Sequence, residues 1–234
     1  MDDPRTGRNI QHSLSALLRQ SVYSRLAGYE DVNDAERLAV DPTMRAKTGR
    51  LKSDRNSAST NTMGCFETEI LAGVKNLEAL TELNGLWLSK AMKLTDYKTL
   101  IIDMDSSESP VHGKQEGSAY NGHFKSNCYH PLFCFNQFGD CEGALLRPGN
   151  VHSSNQARLA LFVLAYNLGN FLRRFTLPKS IRKWSMRTLL TKLIKIGAKI
   201  VKHGRYRVFQ MAEVVMSSGR FQPETTCAKG ACCA

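Results

Sequence analysis

The stretch QARLALFVLAYNLGNFLRR (156–174) most limits what this chain can become. It reads as a helix that is apolar nearly all round, and such a helix persists in water only when other elements cover it. Its apolar part is too short for a membrane span of about 20 residues, and Asn167, Gly169 and Asn170 interrupt it. The cover must come from elsewhere in the chain. Residues 10–27 place Ile10, Leu14, Leu17, Leu18, Val22 and Leu26 at helical spacing, with Gly28 as the stop. A short second helix is expected in GYEDVNDAERLAVDP, and one or two more across 66–92. Residues 184–197 predict an amphipathic helix with Met186, Leu189, Leu190, Leu193 and Ile196 on one face. Residues 43–62 are polar and basic and read as a linker or exposed loop.

The remaining apolar runs alternate or stop at turn formers, as strands do. Thr99-Leu-Ile-Ile102 leads into Asp103 and Asp105, which share a strand face with Ile101, while Leu100, Ile102 and Met104 share the other. A second strand region is expected at 127–138 and a third at 143–147, forming an antiparallel meander. Residues 198–216 predict a β-hairpin around His203-Gly204. The fold class is therefore α+β, with helices at 1–95, strands in 96–153, basic helices and a hairpin in 154–216, and a disordered tail at 217–234.

Two carboxylates on one strand face repel, and each is costly to desolvate. Either the strand has ended in solvent, or the pair holds a divalent cation such as Mg²⁺. Charge placement adds a second clue. Residues 1–150 hold 17 Lys and Arg against 19 Asp and Glu, whereas residues 151–234 hold 15 against two. The net +11 thus sits in the C-terminal third, a pattern suited to a polyanion, nucleic acid before acidic membrane. Arg173, Arg174, Lys179, Arg182, Lys183, Arg187, Lys192, Lys195, Lys199 and Lys202 are the candidate DNA-binding residues. Seven cysteines without a CxxC pair fit no zinc pattern, and a reducing cytosol with inert thiols is expected. The acidic, polar start MDDPRTGRNI does not read as a secretory signal.

The pieces DMDSS, HGKQEG, YNGHF, CYHPL and LRPGN within 103–153, in that order, resemble the first catalytic block of bacterial insertion-sequence DDE transposases. The branch is that of insertion sequence 1380, in the insertion sequence 4-like group. Residues 19–42 resemble its N-terminal block and 155–215 its C-terminal block. The resemblance implies a ribonuclease-H-like core in which two aspartates and a glutamate hold two Mg²⁺ ions about 3.5–4 Å apart and cut and join DNA. It aligns Asp105, with Asp103 as the alternative, to the first aspartate. It implies the terminal inverted repeats of the element as DNA partner, with a homodimer or full-length transposase as possible protein partners, in the bacterial cytoplasm at the nucleoid.

The sequence also departs from that pattern. The family's segment between LRPGNVHS and NQARLALF carries the second aspartate and the glutamate, and here the two blocks abut near Ser154-Asn155. Beyond that join the only acids are Glu213 and Glu224. The expectation is an internally deleted, catalytically incomplete transposase, or a DNA-binding regulator that inhibits the full-length enzyme. Cys65 stands where the family usually has a basic residue, and the tail TTCAKGACCA does not resemble the family's C-terminus. His112 with Gln115 reads as a turn or as a positioning pair near the first aspartate.

Overall fold

A computed structural model describes residues 1–6, 10–50, 55–110, 119–121, 125–146, 153–194, 198–203 and 206–211. His112, Gln115, Lys195, Glu213, Glu224 and the tail lie outside these. The chain divides into two compact units, Met1–Met186 and Arg187–Ala234.

The first unit is built on helix α1 (Leu14–Leu26). The Ser13 side chain accepts the Ala16 N–H to start it, and Gly28, at φ 77°, turns the chain out of it. Short helices α2 (Ala35–Ala39), α3 (Pro42–Lys47) and α4 (Thr60–Cys65) follow. A π-helical turn (Phe66–Ile70) and the long α5 (Val74–Lys93) come next. The supposed linker at 43–62 is therefore structured at both ends. Polar residues in it and just before it cap helices: Asp41 accepts the Met44 N–H at 2.8 Å, and Ser59 accepts that of Thr62. Gln20 of α1 clamps the buried Ala58 backbone, donating to its carbonyl at 2.7 Å and accepting its N–H at 2.8 Å.

The apolar helix is α6 (Ser153–Phe171), continued by a π-helical turn (Leu172–Thr176). It packs against α1 and α5. Leu161 and Leu164 join Leu17, Phe66, Leu71 and Leu80 in the core, all 1% exposed or less. Its cover is incomplete. Phe162 and Tyr166 stay 38% and 40% exposed on the stripe shared with Arg158, so burial on all sides is corrected to burial on most.

Among the described residues six strands lie between α5 and α6: β1 (Ile102–Ser106), β2 (Ser109–Pro110), β3 (Ala119–Asn121), β4 (Ser126–Tyr129), β5 (Leu132–Asn136) and β6 (Cys141–Leu145). The expected three-stranded antiparallel sheet is present, in the order β1-β5-β6. The expected strand at 127–138 is two strands. β4 belongs to a separate sheet, β2-β4-β3, and His130-Pro131 divides it from β5. Pro131 has no N–H for a ladder, so the break falls there. Among the described residues β1 is an edge strand rather than a core strand, with Ile102 44% and Met104 67% exposed.

The second unit carries the end of α7 (Met186–Leu189), a π-helical turn (Leu190–Ile194) and the hairpin β7 (Ala198–His203) with β8 (Tyr206–Met211). The hairpin falls where the alternation placed it. The amphipathic helix expected at 184–197 starts at Met186 and widens to π spacing after one α-turn, and residues 195–197 lie outside the described ones.

Candidate functional site

Asp103 and Asp105 stand two residues apart on β1, so strand alternation puts them on one face. Antiparallel register sets Asp103 opposite Phe135 and Asp105 opposite Phe133, whose rings stack at 6.1 Å. Phe135 in turn meets Tyr166 of α6 edge-on at 5.9 Å. Both carboxylates are exposed, and Asp105 Oδ1 accepts the Ser106 N–H at 2.8 Å. Exposure removes the desolvation cost that made the pair a puzzle, and it leaves three of their four oxygens for a cation or water.

A two-ion centre needs more ligands than this. Among the described residues no three His, Cys, Asp or Glu side chains converge. Glu108 accepts from the Ser126 hydroxyl at 2.6 Å, and Glu142 from Asn136 at 2.7 Å. Asp140 is fully buried and paired with Arg174 at 2.8 Å. Two carboxylates do not by themselves fit a pair of divalent ions. Cys128 and Cys141 are buried and Cys134 half-buried, all unpaired. Burial pushes the Cys141 thiol up to about 11, the mark of an inert side chain rather than a ligand.

The candidate DNA-binding residues divide into distinct groups. Lys179, Arg182 and Lys183 are exposed just after α6, and Arg187 and Lys192 are exposed in the second unit. Arg182 Nε donates to the Leu177 carbonyl at 2.8 Å. Lys199 and Lys202 occupy β7, registered with Gln210 and Arg207. Arg173 donates to Asn170 Oδ1. Arg174 is committed internally. Besides Asp140, its guanidinium lies over the rings of Phe175 (4.5 Å), Phe138 (5.0 Å) and Phe171 (5.8 Å). A guanidinium so enclosed is not presented to a phosphate.

A second buried charge cluster gave no sign in the sequence. Glu67 is 1% exposed and accepts both Arg25 nitrogens, at 2.8 and 3.0 Å, and the Ser21 hydroxyl at 2.6 Å. Arg158 of α6 approaches it at 3.6 Å. The partners are 42 and 91 residues away, far beyond any local spacing rule.

The profile of one known family aligns with the chain in two pieces, residues 1–155 and 152–226; its description is transposase DDE domain group 1. The chain belongs to that family. Its function is thus transposition-related by descent, DNA is the partner that membership implies, and the family's chemistry usually relies on a divalent metal. No curated protein and no solved structure matches the chain. Among the described residues no helix is long and apolar enough to cross a membrane.

Proposed function

We propose that this transposase of the insertion sequence 1380 branch is internally shortened and binds DNA without catalysing strand transfer. The observation that carries the reading is the two-piece family match, whose pieces meet at 152–155, where the first catalytic block abuts the C-terminal block. After that junction only Glu213 and Glu224 remain as acids, so the second aspartate and the glutamate of a DDE site have no counterpart there. The core is then an incomplete ribonuclease-H-like sheet with β1 left at an edge. Asp105, with Asp103 beside it, is the surviving first aspartate, able to hold a single hydrated Mg²⁺. Without a second ion, neither the attacking nor the leaving oxygen is fully activated for in-line displacement.

DNA binding rests on Lys179, Arg182, Lys183, Arg187, Lys192, Lys195, Lys199 and Lys202, in the region that carries the net positive charge. The exposed edge of β1 also favours a regulator that pairs with a second copy or with full-length enzyme, because free strand edges accept strands. The deciding assay combines anisotropy and nicking on the element's own terminal-repeat duplex and a scrambled duplex, with and without Mg²⁺. End-preferring binding without nicking is the expected outcome. Mg²⁺-dependent nicking that Asp105→Asn abolishes would overturn the proposal.

A further inference from the structure

Gln137, one step beyond the Ile102–Asn136 pair of the β1-β5 ladder, fixes which way the β1 backbone faces. Its amide donates to the Thr99 carbonyl at 2.8 Å, and its side-chain oxygen accepts the Ile101 N–H at 3.0 Å. At the other end the Ser107 N–H donates to the Pro131 carbonyl at 3.0 Å. Residues 99, 101 and 107 thus turn these backbone groups toward β5. Antiparallel alternation then turns those of Leu100, Ile102, Met104 and Ser106 outward. The outward Ser106 N–H is already accepted by Asp105 Oδ1 at 2.8 Å. Leu100, Ile102 and Met104 have no strand on their outward side among the described residues. Their side chains share one face and are 43%, 44% and 67% exposed. An edge of this kind accepts an extended strand.

Charge decides which strand fits and in what register. Two copies of β1 related by a two-fold axis pair antiparallel, and the residue on the axis sets every opposition. With Met104 on the axis, Asp103 stands opposite Asp105 of the second copy, and Asp105 opposite its Asp103. With Asp103 on the axis, the two copies of Asp103 face each other. Like charges directly opposite destabilise a strand pair. With Ile101 on the axis, Met104 falls opposite Lys98, which sits at a bend and does not continue the strand. With Ile102 on the axis, Asp103 faces Ile101, Asp105 faces Thr99, Leu100 faces Met104, and Ile102 faces its own copy. That register keeps the carboxylates apart and uses the outward groups of Leu100, Ile102 and Met104 together.

We infer that β1 pairs with β1 of a second copy of this chain with Ile102 on the two-fold axis, fusing β6-β5-β1 of each copy into one continuous antiparallel sheet. The inference rests on the pairing reading given above and deepens it by naming the register and the residues that select it. Leu100, Ile102 and Met104 of both copies gather on one face. Asp103 and Asp105 act against the shifted registers.

The test uses the full chain at high salt, where its net charge of +11 is screened. Analytical ultracentrifugation measures its mass, and cysteine bridging reads the register. Ile102→Cys puts two thiols on a hydrogen-bonded pair with Cα atoms about 5.5 Å apart, within disulfide reach. Met104→Cys leaves them more than roughly 13 Å apart. Oxidation with copper–phenanthroline, followed by mass spectrometry of the linked peptides, separates these bridges from any through the exposed Cys65. The expected result is a dimer that bridges through Ile102→Cys and not through Met104→Cys, and that Ile102→Pro weakens at least about tenfold. Proline at 102 removes only an outward N–H, so the circular dichroism of the monomer is retained. Met104→Lys, at an exposed position, is the second variant and weakens the same dimer. A dimer that survives both substitutions, or that bridges through Met104→Cys, overturns this register and leaves self-pairing standing. A native chain that stays monomeric at every salt and protein concentration overturns self-pairing itself.

Discussion

Replacing Glu67 is expected to be the most damaging single change among the described charges. Its carboxylate is 1% exposed and holds Arg25, whose side chain is only 4% exposed, in a two-pronged pair at 2.8 and 3.0 Å. Glu67→Leu strands the guanidinium in the core, where Arg25 Nε already lacks a hydrogen-bond partner. Removing one member of a buried pair costs about 3–5 kcal/mol, because the remaining charge is desolvated without compensation. Arg158 at 3.6 Å is 45% exposed and adds little beyond that. The expected loss is a large share of the roughly 5–15 kcal/mol that holds a domain together. Replacing both partners, as Arg25→Met with Glu67→Leu, removes the stranded charge and is expected to recover most of it. Urea unfolding followed by circular dichroism, across the four chains of the double-mutant cycle, measures this. A Glu67→Leu cost below about 1 kcal/mol, or a double variant no better than the single, would refute the reasoning.

Three further outcomes are expected. Asn167 donates to the Cys141 carbonyl and to Asn84 Oδ1, each at 2.8 Å, and accepts the Cys141 N–H at 2.8 Å; Asn167→Leu should cost at least about 1–3 kcal/mol in the same unfolding assay, since it strands buried polar groups. The Cys141 pKa is raised from 9.0 to about 11, so its stabilising contribution is complete below pH 9 and is lost as pH rises toward 11; Cys141→Ala should flatten that alkaline fall in stability, and Cys141 should react with thiol reagents far more slowly than the exposed Cys65. Asp105→Asn should shift stability by no more than about 0.5 kcal/mol, because the side chain is exposed; a larger change by thermal melting would mean that the carboxylate is built into the fold.

What the sequence made legible was local. The stripe Leu17, Val22 and Leu26 announces α1, and the break at Gly28 announces its end. The alternation around 198–211 announces the hairpin. The two aspartates were legible as same-face neighbours because a period of two is all that requires. Their exposure was not, since a strand's place at an edge depends on partners far along the chain. The linker at 43–62 was misread for a related reason. Asp41, Ser59 and Gln20 look like solvated residues in sequence, and only the fold shows them capping helices and clamping the Ala58 backbone. Arg174 was grouped with the DNA-binding residues because charge is visible in a sequence. The enclosure by Asp140 and three phenylalanine rings is not.

Several long-range polar contacts also give a physical reason why a shortened chain can keep Met1–Met186 as one compact unit. Each joins residues on opposite sides of the proposed junction at 152–155. Asp140 reaches Arg174 and Asn170, Cys141 and Asn84 reach Asn167, and Glu67 reaches Arg158. All of these partners lie within the matched pieces, so none depends on the segment proposed to be missing. What such a deletion would uncover is apolar rather than polar: Ile101 at 61% and Met104 at 67% on or beside β1, and Phe162 and Tyr166 on α6. An edge strand and a helix stripe exposed in this way favour association, and the net charge of +11 opposes it through mutual repulsion. Salt weakens that repulsion while leaving apolar contacts in place. The balance therefore tips toward self-association as ionic strength rises, the opposite of the trend for DNA binding, and the two effects can be separated in one salt titration.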